Sequence, residues 1–79
     1  MKHKADKTKY NAQKFLMALG KNLYSLRIGQ KKDLDTVASA MQITPKLLDQ
    51  IEKGEHDCDL ILFFDLCAYY GIKPGDVFP

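Results

Sequence analysis

No stretch of about 18 consecutive apolar residues occurs, so no membrane-spanning helix is expected. The opening run Met1-Lys2-His3-Lys4-Ala5-Asp6-Lys7 has no apolar segment behind it, so no secretory signal is expected either. Cysteine is scarce. Only Cys58 and Cys67 are present, and no Cys-x-x-Cys pair, which argues against a disulfide framework or a thiolate metal site. Cys67 falls in a helical apolar run and reads as a small core residue. Histidine is equally sparse. His56 stands beside Asp57 and Cys58 but lacks a four-ligand set, so no metal is expected. A Cys–His nucleophile would need positioned partners and a cleft. These shortages point away from an enzyme and from any cofactor or small-molecule substrate, and they place the chain in the cytosol. Strand alternation, internal repeats and low-complexity tracts are also missing.

What remains is helical. The 79 residues suffice for one domain, of a size that buries only roughly 60% of the unfolded chain's surface. Phe15, Leu16, Leu19, Leu23 and Leu26 recur at three- and four-residue spacing and mark one apolar helix face. Gly29 and Gln30 are expected to end that helix. Asp33 suits the N-cap of a second helix, with Val37, Ala38 and Met41 inward. Thr44 before Pro45 is a strong helix start, because threonine caps free amides and proline loses nothing at the first helical position. Leu47, Leu48 and Ile51 continue that third helix, and Gly54 stops it. Asp59 can cap a fourth helix running to about Tyr70, closed by Gly71. Lys73 to Phe78 reads as a turn or short helix returning Val77 and Phe78 to the core.

Two short helices with about four residues between them therefore occupy residues 33–53. Such a pair leaves its second helix protruding enough to enter a major groove. Ala38 lets the two helices cross closely, and Ile43, Leu48 and Ile51 would fill their shared core.

Charge is distributed unevenly. Residues 1–32 carry nine lysines and arginines against Asp6 alone, while residues 33–79 carry three lysines against nine acids. A basic front suggests contact with a polyanion. A solvated tail that keeps the chain soluble would show the same excess.

The stretch Leu19-Gly20-Lys21-Asn22-Leu23 with Leu26-Arg27, then Val37-Ala38, Ile43-Thr44, Leu48, Ile51-Glu52-Lys53-Gly54 and Leu66-Cys67-Ala68-Tyr69-Tyr70-Gly71-Ile72, resembles the Cro and phage-repressor type of helix-turn-helix domain, often called the XRE family. The resemblance covers about residues 19–78. It implies an all-α fold, a compact lambda-repressor-like bundle of five helices over residues 11–79, preceded here by a basic flexible arm at residues 1–10. It implies sequence-specific binding to double-stranded DNA by a small dimeric, repressor-like transcriptional regulator. It further implies that Arg27 and Glu52 form an ion pair joining the first and third helices.

By position, DNA contact falls on Thr44, Pro45, Lys46, Asp49, Gln50 and Lys53, with Lys31 and Lys32 as phosphate contacts. Gln50 could read adenine, Lys46 guanine or a phosphate, and Asp49 could accept from cytosine N4. Thr44 and the amides at this helix start could hold a phosphate. The chain departs from the family pattern at several places. Leu34 replaces a phosphate-binding glutamine, Gln42 replaces the turn glycine, and Pro45 replaces a polar residue. The loop Glu55-His56-Asp57 is acidic. These departures suit an alternative, a protein–protein interaction module that keeps the fold without binding DNA.

The fourth helix is apolar nearly all round, with Asp65 its only charge between Leu60 and Tyr70. Leu60, Phe63, Leu66, Cys67 and Tyr70 suffice for the core. Ile61, Phe64 and Ala68 form a second stripe, expected to serve a homodimer interface.

Overall fold

The computed structural model describes residues 12–79. The expected arm at residues 1–10 lies outside the described residues.

Five helices follow one another: α1 Ala12–Gly29, α2 Leu34–Met41, α3 Pro45–Glu52, α4 Leu60–Tyr70 and α5 Pro74–Val77. Three starts are set by side chains that satisfy an otherwise orphaned amide. Asp33 Oδ1 accepts from the Thr36 N–H at 2.7 Å, Thr44 Oγ1 from Leu47 at 3.1 Å, and Asp59 Oδ1 from Leu62 at 2.8 Å. The Thr36 amide holds the Asp33 carboxyl below its ordinary pKa.

Helix α1 ends at Gly29, where the sequence placed its end. Beyond it the chain reverses at Lys31, which takes a left-handed φ of 58°. One local and one long-range contact hold the turn that follows. Arg27 Nη1 donates to the Lys32 carbonyl at 3.1 Å, and Gln30 Nε2 donates to the Tyr70 carbonyl at 2.8 Å. The α2–α3 turn also reverses through a left-handed residue, Gln42 at φ 60°, where a non-glycine side chain costs roughly 1–2 kcal/mol. Amide bonds from Gln42 to Ser39 and from Ile43 to Ala38 close the end of α2.

The core gathers Leu19 and Leu23 of α1, Val37 and Ala38 of α2, Leu48 and Ile51 of α3, Phe63, Leu66, Cys67 and Tyr70 of α4, and Val77 of α5. Each large aliphatic or aromatic member contributes about 1.5–3 kcal/mol by leaving water. Helix α1 packs on α3 and α5, while α2 packs on α3 and α4. At the α1–α3 crossing Gly20 is buried. A β-carbon there would overlap the carbonyl oxygens of Ile51 and Glu52.

Three residues expected to face inward, Phe15 and Leu60 by periodicity and Phe78 by the terminal return, lie at the surface. Phe15 and Phe78 are about half exposed, and Leu60 is 60% exposed. Leu60 is the first residue of α4, ahead of the turn that meets the core. Phe15 and Phe78 form an aromatic cap instead. The Phe78 ring stacks on Phe63 at 5.0 Å between centroids, and Phe15 meets Phe78 at 6.1 Å.

Candidate nucleic-acid interface

Helix α3 is anchored on one side and open on the other. Leu48, Ile51 and Glu52 are buried. Thr44, Pro45, Lys46 and Lys53 are exposed, and Asp49 and Gln50 are partly so. The six candidate contacts thus share one short helix and its caps. Thr44 spends its oxygen on the Leu47 amide. Asp49 Oδ2 and Lys53 Nζ pair at 2.9 Å, one turn apart, which raises the lysine pKa.

Lys31 and Lys32 lie on a separate element, the α1–α2 turn. Lys32 Nζ sits 5.0 Å from the Tyr69 ring centroid, a cation–π contact that steadies this turn on α4.

The orientation of α3 is held from behind by an ion pair. Arg27 Nε donates to Glu52 Oε2 at 2.8 Å and Nη2 to Oε1 at 2.9 Å, a two-pronged grip. The two side chains are only 10% and 3% exposed. Glu52 pushes the guanidinium pKa above its ordinary value. The same guanidinium binds the Lys32 carbonyl and lies 5.4 Å from the Tyr24 ring, so a single residue ties α1, α3 and the α1–α2 turn together. Beside it, Tyr70 is buried and its phenol is pushed up to about 12, chiefly by burial and then by the charge of Glu52.

Leu34 has turned from the surface to packing against the core. On α4, Ile61 is 74% exposed, Phe64 is 47% exposed, and Ala68 is exposed. An open groove of about 580 Å³, walled by Met41, Ile43, Leu47 and Leu62, runs beside Ile61. Among the described residues no three His, Cys, Asp or Glu side chains come together to hold a metal ion, and no helix is long and apolar enough to cross a membrane.

Sequence reasoning missed three amides that clamp the ends of the bundle. Besides Gln30, Gln13 Nε2 donates to the Gly54 carbonyl at 3.0 Å and Asn22 Nδ2 to the Val77 carbonyl at 2.7 Å. Their partners are backbone atoms 40 to 55 residues away in sequence, a signal that side-chain periodicity does not carry.

Neither the family models nor the curated proteins contain a match to this chain. Solved structures do match. The clp gene regulator ClgR from C. glutamicum superposes with a TM-score of 0.76 at 28% identity, over 80% of this chain and 82% of that one. The chain has the fold of a Cro- and phage-repressor-like helix-turn-helix domain. The restriction-modification controller protein C.AhdI from Aeromonas hydrophila matches this domain at TM-score 0.75 and 22% identity, over 80% of this chain and 96% of its own. The DNA-binding domain of BldD matches at TM-score 0.76 and 20% identity, over 85% and 97%. The last two likenesses speak to the fold alone. In this fold α2 and α3 are the paired helices, joined through the left-handed Gln42.

Proposed function

We propose that this domain binds double-stranded DNA sequence-specifically, as a small dimeric, repressor-like transcriptional regulator of the cytosol. The observation that carries the reading is the outward face of α3, where Thr44, Pro45, Lys46, Asp49, Gln50 and Lys53 stand at the surface of a helix locked from behind by Arg27 and Glu52. A helix held this way can place side chains at base edges without reorganising. Lys46 and Gln50 reach guanine and adenine edges, and Lys31 and Lys32 add phosphate contacts. The description of ClgR as a gene regulator supports the same reading.

Lys46, Asp49, Glu52 and Lys53 sum to no net charge on α3, so attraction to the duplex must come largely from the basic residues of the first 32. Binding to random-sequence duplex is therefore expected to weaken steeply with salt, through release of counterions. Fluorescence anisotropy at low and then raised salt tests this. Lys46→Glu combined with Gln50→Ala should abolish binding while circular dichroism is unchanged.

The exposed Ile61, Phe64 and Ala68 stripe supports a two-fold dimer through α4, which would match a pseudo-palindromic site. A second reading rests on that stripe and on Leu34, whose place in the packing removes a phosphate contact. In it the domain is a protein-interaction module, and duplex DNA does not bind even at low salt.

A further inference from the structure

The outward face of α3 carries a preformed charge pair whose spacing matches the edge of a base pair. Asp49 Oδ2 and Lys53 Nζ lie 2.9 Å apart, with side chains 41% and 59% exposed. The helix backbone sets their register, since the Lys53 N–H donates to the Asp49 carbonyl at 3.0 Å.

In the major groove a C·G pair presents the cytosine N4 amino donor beside the guanine O6 acceptor, followed by guanine N7. N4 and O6 are themselves hydrogen-bonded, so they stand about 2.9 Å apart. A carboxylate and an ammonium at that same separation can meet this edge together. Asp49 accepts from N4 while Lys53 donates to O6, and the ion pair need not open. A carboxylate offers about four acceptor sites and an ammonium three donors, so their mutual contact leaves capacity on both.

An A·T pair also sets a donor, N6, beside an acceptor, O4. The flanking groups discriminate. A carboxylate at N6 would lie next to adenine N7, a second acceptor that repels it. An ammonium at O4 would lie next to the thymine methyl, which accepts nothing. At C·G the ammonium instead bridges O6 and N7, and no acceptor crowds the carboxylate. Both ends favour the same pair in the same orientation.

We infer that the Asp49–Lys53 ion pair is a specificity element for one C·G base pair, with cytosine at Asp49 and guanine at Lys53. This rests on the DNA-binding reading above. The test is selection of preferred duplexes from a randomised library by the full chain and by its Asp49→Asn and Lys53→Met variants, followed by titration of each selected site with single base pairs exchanged. Lys53 is exposed and Asp49 partly so, and circular dichroism checks that the variants fold. For the unaltered chain, one C·G position should emerge whose replacement by G·C or A·T weakens binding roughly 5- to 100-fold. Lys53→Met should lose that preference. Asp49→Asn should transfer it to A·T, because an asparagine amide pairs with adenine N6 and N7. A selected site in which neither variant changes the preference at any position would overturn the assignment while leaving DNA binding intact. No binding of any duplex at low salt would overturn the DNA-binding reading and this inference with it.

Discussion

Gly20 of α1 lies directly against the Glu52 carbonyl of α3, and the space a β-carbon would need is already filled by that oxygen and by the carbonyl of Ile51. The contact brings the two backbones together at the point where Arg27, two turns further along α1, reaches the Glu52 side chain. Close approach and ion pair fix the same crossing, and that crossing sets how far α3 stands out from the bundle.

Gly20→Ala should therefore destabilise the domain by roughly 1–3 kcal/mol, because two backbones must separate to admit the methyl. Gly29→Ala is the control. No atom lies within 4 Å of a β-carbon there, and a helical alanine should stabilise by about 0.5–1 kcal/mol. Urea unfolding of the two variants should move the midpoint in opposite directions.

Removing one member of the Arg27–Glu52 pair strands the other in a buried site. Arg27→Met or Glu52→Leu alone should cost about 3–5 kcal/mol, a large share of the stability of so small a domain. The double variant should recover much of that loss, since both charges leave together. A double-mutant cycle by thermal unfolding measures the coupling, and equal, additive losses would count against it.

Stability should fall in alkali. In the unfolded chain a cysteine thiol and a tyrosine phenol titrate at 9.0 and 10.0, whereas burial pushes Cys58 up to about 11 and Tyr70 up to about 12. Between pH 9 and 12 the folded chain keeps protons that the unfolded chain has released. Stability then declines as pH rises through that window and is unaffected by these groups below it. Unfolding curves at pH 8, 10 and 11 should show the decline, and Tyr70→Phe should make it shallower.

The proposed self-association through α4 predicts a specific sensitivity. Phe64→Asp should shift the sedimentation of the full chain from dimer to monomer with its helical signal intact, while Tyr24→Asp, also at an exposed aromatic on a different helix, should leave it dimeric. A monomer in the unaltered chain would remove the interface.

Local chemistry made much of this domain readable from the amino acids. Asp33, Thr44 and Asp59 announced three helix starts, since a capping oxygen acts within three residues. Gly54 and Gly71 marked reversals in the left-handed region. Three- and four-residue spacing picked out Leu19, Leu23, Leu48, Ile51, Leu66 and Cys67, all buried. The second stripe of α4 was visible as a surplus of apolar residues, because a helix in a small bundle needs only one.

Tertiary structure decided what depends on distant partners. After α1 ends at Gly29 the reversal falls on Lys31, and Gln30 beside it binds the carbonyl of Tyr70, a partner 40 residues away that the local sequence cannot see. Phe15, Leu60 and Phe78 satisfied the helical period or the terminal return yet stayed at the surface. Periodicity gives the direction of a side chain from its own helix, not whether another element arrives to cover it. The docking of α1 on α3 at Gly20 and the locking of Glu52 by Arg27 belong to the same class. They arise from residues 25 or more positions apart, and only the closed bundle brings them within reach.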